Sequence, residues 1–166
     1  QRLLAGMSLD ARRFLYVSPR EATPIASEED HLPGHVKVTR QKGFACACCP
    51  PNSARLLASI GSYAWGKGDD ELYLHLYVGG STTRTLGGKE VKATVTTEYP
   101  WKEDVEVSFE MKGSARFTFA VRVPGWVNIW SLWINGTRPE FTHVENGYAY
   151  IDREWCNGDT LVLHTE

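Results

Sequence analysis

Apolar and polar positions alternate with a period of two through most of the chain after residue 70. Leu72, Leu74, Leu76 and Val78 fall on one face, with Tyr73, His75 and Tyr77 on the other. That spacing is the mark of a strand with one buried side. Further strands are predicted at Val91-Ala93-Val95, Val105-Val107-Phe109-Met111, Phe117-Phe119-Val121-Val123, Trp130-Leu132-Ile134, Tyr148-Tyr150 and Leu161-Leu163. Between them, Gly87-Gly88, Asn135-Gly136, Asn146-Gly147 and Asn157-Gly158 supply residues that tolerate the left-handed backbone of tight hairpin turns. Short strands joined this way predict a mainly β fold, an antiparallel β-sandwich of jelly-roll-like character.

The pattern before residue 70 is different. Residues 11 to 17 predict a short strand around Phe14 and Tyr16, closed by Pro19, and Arg20 to Gly43 reads as a long loop. Pro50-Pro51-Asn52-Ser53 then starts a helix over 52–65, with Asn52 or Ser53 as its cap and Leu56, Leu57, Ile60 and Ala64 at helical spacing. The turn residues Gly66 and Gly68 should end it. The predicted organisation is therefore a region 1–70 and a β-sandwich domain 71–166.

With 166 residues the chain can bury a real core. Lys plus Arg number 18 against 20 Asp plus Glu, a net charge of −2, which gives no field able to attract nucleic acid or an acidic membrane. Neither partner is expected. No apolar run approaches the roughly 20 residues that cross a bilayer. The absence of an initial Met, and an end inside the alternation Leu161-Val162-Leu163, are expected of a piece of a longer chain. Helix 52–65 would then lack part of its packing, so self-association is an expectation.

Cys46, Cys48 and Cys49 place three thiols within four positions, just ahead of that helix. Adjacent cysteines can bridge each other only through a strained eight-membered ring, so Cys48 and Cys49 suit metal binding or thiolate chemistry better. A helix N-terminus stabilises a thiolate over a thiol. Zinc takes four ligands, and this pair could supply two. No second Cys-x-x-Cys or His-x-x-x-His identifies the others. Spacing alone leaves two readings open, a metal-thiolate site and thiols that are merely buried or reducible. Clustered thiols with a lone Cys156 do not resemble a secreted disulfide scaffold, and a cytoplasmic location is expected over a periplasmic or secreted one.

Phe44-Ala45-Cys46-Ala47-Cys48-Cys49-Pro50-Pro51-Asn52, followed by Ala54-Arg55-Leu56-Leu57-Ala58-Ser59-Ile60-Gly61, resembles glycoside hydrolase family 127, whose members include β-L-arabinofuranosidases. The resemblance continues upstream through Leu4 to Asp10 and Phe14 to Glu21. Downstream it includes Leu72 to Tyr77, Tyr99-Pro100-Trp101, Arg122 to Trp126, Ile134-Asn135-Gly136 and Asn146-Gly147-Tyr148. It implies that residues 1–70 are the C-terminal remnant of a catalytic (α/α)6 barrel, a short helical piece ahead of the sandwich. It also implies that Cys48 is the nucleophile of a retaining glycosidase and a zinc ligand, and that Cys49 is a second zinc ligand. The remaining ligands, a glutamate and a cysteine, and the acid/base glutamate would lie in the missing upstream barrel. The implied partner is a carbohydrate, an arabinofuranoside-type glycan, and the isolated chain is expected to be inactive.

Other residues have plainer readings. Cys46 receives no ligand role, and Glu21 reads best as a structural hydrogen-bonding group. Glu28-Glu29-Asp30 fits a solvated loop face. His31, His35 and His75 are read as satisfied polar groups. Trp101, Trp126, Trp130, Trp133 and Trp155 fit core packing better than sugar stacking. Cys156 is read as structural, and Asn135-Gly136-Thr137 as a turn before it is a glycosylation acceptor. Two rival functions stay in view: a non-catalytic carbohydrate-binding or structural β-sandwich, and a small metal or redox protein. The second lacks a resolving arrangement of thiols.

Overall fold

The computed structural model describes residues 7–10, 12–15, 40–42, 48–140 and 142–166. The chain forms two compact units, residues 1–59 and 60–166. In the first, Phe14 makes isolated antiparallel bridges to Met7 and Gln41 and no continuous strand. The rest of the predicted strand beyond residue 15, and the loop up to residue 39, lie outside the described residues.

Among the described residues, one helix, α1 (Cys49–Ala64), precedes ten strands. It begins three residues earlier than its sequence pattern predicts. The backbone N–H of Asn52 donates to the Cys48 carbonyl at 3.4 Å, which makes Cys48 the cap residue and puts Pro50 and Pro51 inside the first turn. Proline fits there because first-turn N–H groups have no partner within the helix and its φ is already helical. Asn52 instead accepts from the Arg55 guanidinium at 2.9 Å. Helix α1 ends at Ala64, whose carbonyl accepts from the N–H of His75 at 2.8 Å. Trp65 starts a strand rather than extending the helix.

Residues 65–166 build the predicted β-sandwich. One sheet has the order β1 (Trp65–Lys67), β2 (Glu71–Leu74), β6 (Ser114–Arg122), β9 (Tyr148–Cys156), β8 (His143–Glu145). The other runs β3 (Gly80–Leu86), β4 (Lys89–Thr97), β5 (Asp104–Met111), β10 (Thr160–Thr165), β7 (Trp130–Ile134). All neighbours are antiparallel except β2 and β6, which pair in parallel with Glu71 opposite Thr118. Strand β2 stops at Leu74, so Leu76 and Val78 leave the ladder they were expected to join. Hairpins close on Asn135-Gly136 and Asn146-Gly147, all four residues at positive φ, as a type I′ turn requires. Gly87 is also left-handed, and a Cβ there would come within 2.6 Å of the Arg116 carbonyl oxygen.

The inward faces meet in one core. Trp155 from β9 and Phe109 from β5 lie 4.6 Å apart between ring centroids, with Phe117 and Phe119 of β6 packed around them. All four are essentially fully buried, and the Trp155 indole N–H donates to the Phe117 carbonyl at 3.2 Å. A buried carboxylate ties the loops at one end. Asp159 Oδ1 accepts from the Asn135 amide at 2.8 Å, and its Oδ2 accepts from the Cys156 N–H at 2.9 Å. Asn135 in turn accepts from the Thr160 N–H at 2.9 Å. Asp159→Ala would strand these donors together, so it is expected to cost about 2–3 kcal/mol in chemical denaturation. A loss below about 0.5 kcal/mol would show that the network does not hold the hairpins.

Candidate active site

The predicted thiol pair sits at the start of α1. Cys48 is exposed at the cap position and Cys49, half-buried, is the first helical residue. Their sulfurs are 3.3 Å apart, a contact rather than a disulfide, whose sulfurs would be about 2.05 Å apart. The helix start carries the positive end of the peptide dipoles. Pro50 and Pro51 remove two of the N–H groups that would otherwise point at an anion there, so fewer backbone donors are available to a thiolate than the sequence pattern suggested. Cys46, Glu21, Glu28, Glu29, His31 and His35 lie outside the described residues.

The donor set fits half of a zinc site. Two thiolates on tetrahedral zinc, each about 2.3 Å from the ion, stand about 3.8 Å apart. The observed 3.3 Å is about half an ångström closer, a gap that small side-chain rotations can open. Among the described residues no cluster of three or more His, Cys, Asp or Glu side chains could hold a metal, so a metal at Cys48 and Cys49 would need further ligands.

The remaining candidates separate from this pair by function. His75 belongs to an aromatic group on the sandwich: its Nδ1 is 2.7 Å from the Tyr148 hydroxyl and its ring stacks on Tyr73. Tyr73 donates to Glu71 at 2.7 Å, which pushes its phenol pKa up. His75 is thus a satisfied polar group. Cys156 is exposed at the end of β9. The tryptophans divide three ways. Trp155 is core and Trp130 packs against it, but Trp101 and Trp126 are 84% and 66% exposed in loops, and Trp133 lies on an outer sheet face. The expectation of core packing fails for Trp133, which sits on the outward-facing side of β7, and for Trp101 and Trp126, each of which follows a proline-containing turn rather than a strand position. Trp126 donates to the Tyr99 hydroxyl at 3.3 Å, joining the Tyr99-Pro100-Trp101 and Pro124-Gly125-Trp126 loops.

Sequence reasoning missed the outer-face groupings of the sandwich, in which Asp104 and His164 meet 60 residues apart across β5 and β10. Only strand pairing reveals that neighbourhood.

A vicinal thiol pair at a helix start, followed by this sandwich, defines a class that comparison with known proteins makes specific. The family model for the GH127 β-L-arabinofuranosidase catalytic domain matches residues 2–62, and that for the GH127 middle domain matches residues 71–166. The chain belongs to the GH127 β-L-arabinofuranosidase family. It is 32% identical over 171 aligned positions to a non-reducing end β-L-arabinofuranosidase of Bifidobacterium longum subsp. longum, covering 98% of this chain and 25% of that protein. It superposes on a GH127 β-L-arabinofuranosidase from Geobacillus stearothermophilus T6 with a TM-score of 0.88 and 42% identity, over 98% of this chain and 26% of that one. A second solved GH127 β-arabinofuranosidase gives 0.77 at 26% identity, again over 98% of this chain and 26% of the other. The chain spans about a quarter of the length of these relatives.

Two histidines of the sandwich titrate in opposite directions. Burial, then the nearby Arg122 charge, lowers the pKa of His75 from the ordinary 6.5, whereas the hydrogen bond to Asp104 foremost raises that of His164. The stability His75 contributes is complete above pH 6.5 and is lost as pH falls through its lowered value. The contribution of His164 is complete below pH 6.5 and is lost as pH rises through its raised value. Imidazole NMR titration should therefore place His75 below and His164 above 6.5; the reverse order would contradict both environments.

Proposed function

We propose that this chain is part of a retaining glycoside hydrolase that removes terminal β-L-arabinofuranose or a related sugar, with Cys48 as nucleophile and Cys48 and Cys49 as two ligands of a zinc ion. The observation that carries this reading is the pair of sulfurs 3.3 Å apart at the start of α1, in a chain of the GH127 family. Zinc, when bound, would hold both sulfurs as thiolates and favour the charged form over the thiol. Exposed at the cap of a helix, Cys48 is open to an incoming sugar. Its thiolate attacks the anomeric carbon, a C–S bond forms, and the bond to the leaving oxygen breaks as that oxygen takes a proton from a general acid. Water, deprotonated by the same group, then attacks the anomeric carbon and returns Cys48 as thiolate. The acid, a glutamate on the family pattern, belongs to the part of the barrel outside this chain, as do the other ligands. The chain alone is inactive in this account, and a reducing compartment such as the cytoplasm keeps the pair free of a disulfide.

In the intact parent enzyme, Cys48→Ser should lower kcat by at least about 10³-fold on an aryl β-L-arabinofuranoside while circular dichroism stays unchanged. Metal analysis of Cys49→Ser should show zinc falling well below that of the unmutated enzyme. A folded Cys48→Ser enzyme with near-normal turnover would refute the nucleophile assignment, and full zinc in Cys49→Ser would refute the ligand assignment.

A further inference from the structure

The outer face of the β3-β4-β5-β10-β7 sheet carries an open cleft of about 590 Å³, within the size range of small-molecule sites. Strand register builds it. Asp104, His164 and Ser131 form one row across β5, β10 and β7, and Val162 and Trp133 are paired in the next. Trp133 is fixed by donation from its indole N–H to Ser131 Oγ at 3.2 Å and by the Arg138 guanidinium 4.8 Å from its ring centroid. His164 is held between Asp104, 2.7 Å from Nδ1, and Glu166, 3.6 Å from Nε2. Ile129 and Trp130 close the apolar side. An indole with hydrogen-bonding groups arranged around it suits a ligand with C–H faces and hydroxyl edges. Two carboxylates beside a single arginine disfavour an anion, and among the described residues no metal cluster is present. We infer that this cleft is a second, non-catalytic carbohydrate site, taking neutral arabinofuranose units of a glycan. It goes beyond the glycosidase reading and uses it only to choose the probes.

The test is a titration of the ¹⁵N-labelled chain with soluble arabinan, with dextran as comparison, following indole N–H signals by NMR and assigning that of Trp133 from Trp133→Ala. Saturable shifts at Trp133 with arabinan and not with dextran are expected, unchanged in Cys48→Ala, and weakened at least about tenfold in Asp104→Asn, which keeps the side-chain shape. Absence of a Trp133 shift, an equal response to dextran, or undiminished binding by folded Trp133→Ala and Asp104→Asn would overturn the inference. So would sugar-independent shifts at these residues that grow with protein concentration, the mark of a second copy of the chain. The readings fail separately. In the intact enzyme Trp133→Ala should still hydrolyse a small aryl glycoside, whereas Cys48→Ser should bind arabinan and hydrolyse nothing.

Discussion

The contact between Trp155 and Phe109 is the one on which the sandwich depends. It joins the two sheets at their centre, and the rings of Phe117 and Phe119 leave the indole no exposed surface. Aromatic pairs of this kind add to the stabilisation from the apolar area they bury, because edge-on, tilted and offset-stacked rings bring the positive edge of one near the negative face of another. Once that centre is set, period-two alternation decides the rest: Leu161 and Leu163 must face inward, so Val162 and His164 must face out. The glycan cleft is thus a consequence of the core's register, displayed on its opposite face.

Most of this architecture could be read in the chain; β9 was predicted only over Tyr148-Tyr150 of its nine residues, and the strands missed outright share a cause. Strands β4, β5, β6, β7 and β10 carry a regular buried face and were predicted close to where they occur. Strands β1, β3 and β8 were not, and each lies at the edge of its sheet. In β3 only Thr82 and Leu86 are buried, and β8 is exposed throughout. An edge strand is held by one ladder and needs little apolar pattern, so it leaves a weak trace in sequence. The start of α1 was misplaced for a related reason. Proline reads as a boundary, yet in a first turn it is helical, and only the hydrogen bond from Asn52 to Cys48 shows where the helix begins.

The thiol pair was legible because three cysteines in four positions are hard to explain by packing. Its helix-start placement followed from the motif, but the loss of backbone donors to Pro50 and Pro51 did not. That loss shifts the burden of holding charge on Cys48 from the backbone toward a partner group, which is the physical reason a metal is central to the proposed chemistry. By contrast, Asp104, His164, Trp133 and Arg138 give no sequence signal as a group, since residues 60 positions apart become neighbours only through β5 and β10.

The central claim is that the sulfur of Cys48 bonds covalently to the sugar. Peptide mass spectrometry of the intact enzyme, quenched in acid during turnover of a substrate whose intermediate is slow to hydrolyse, tests it most directly. The account predicts a single glycosyl adduct on the peptide containing Cys48. An adduct on a carboxylate, or no adduct together with inversion of the anomeric centre, would contradict it.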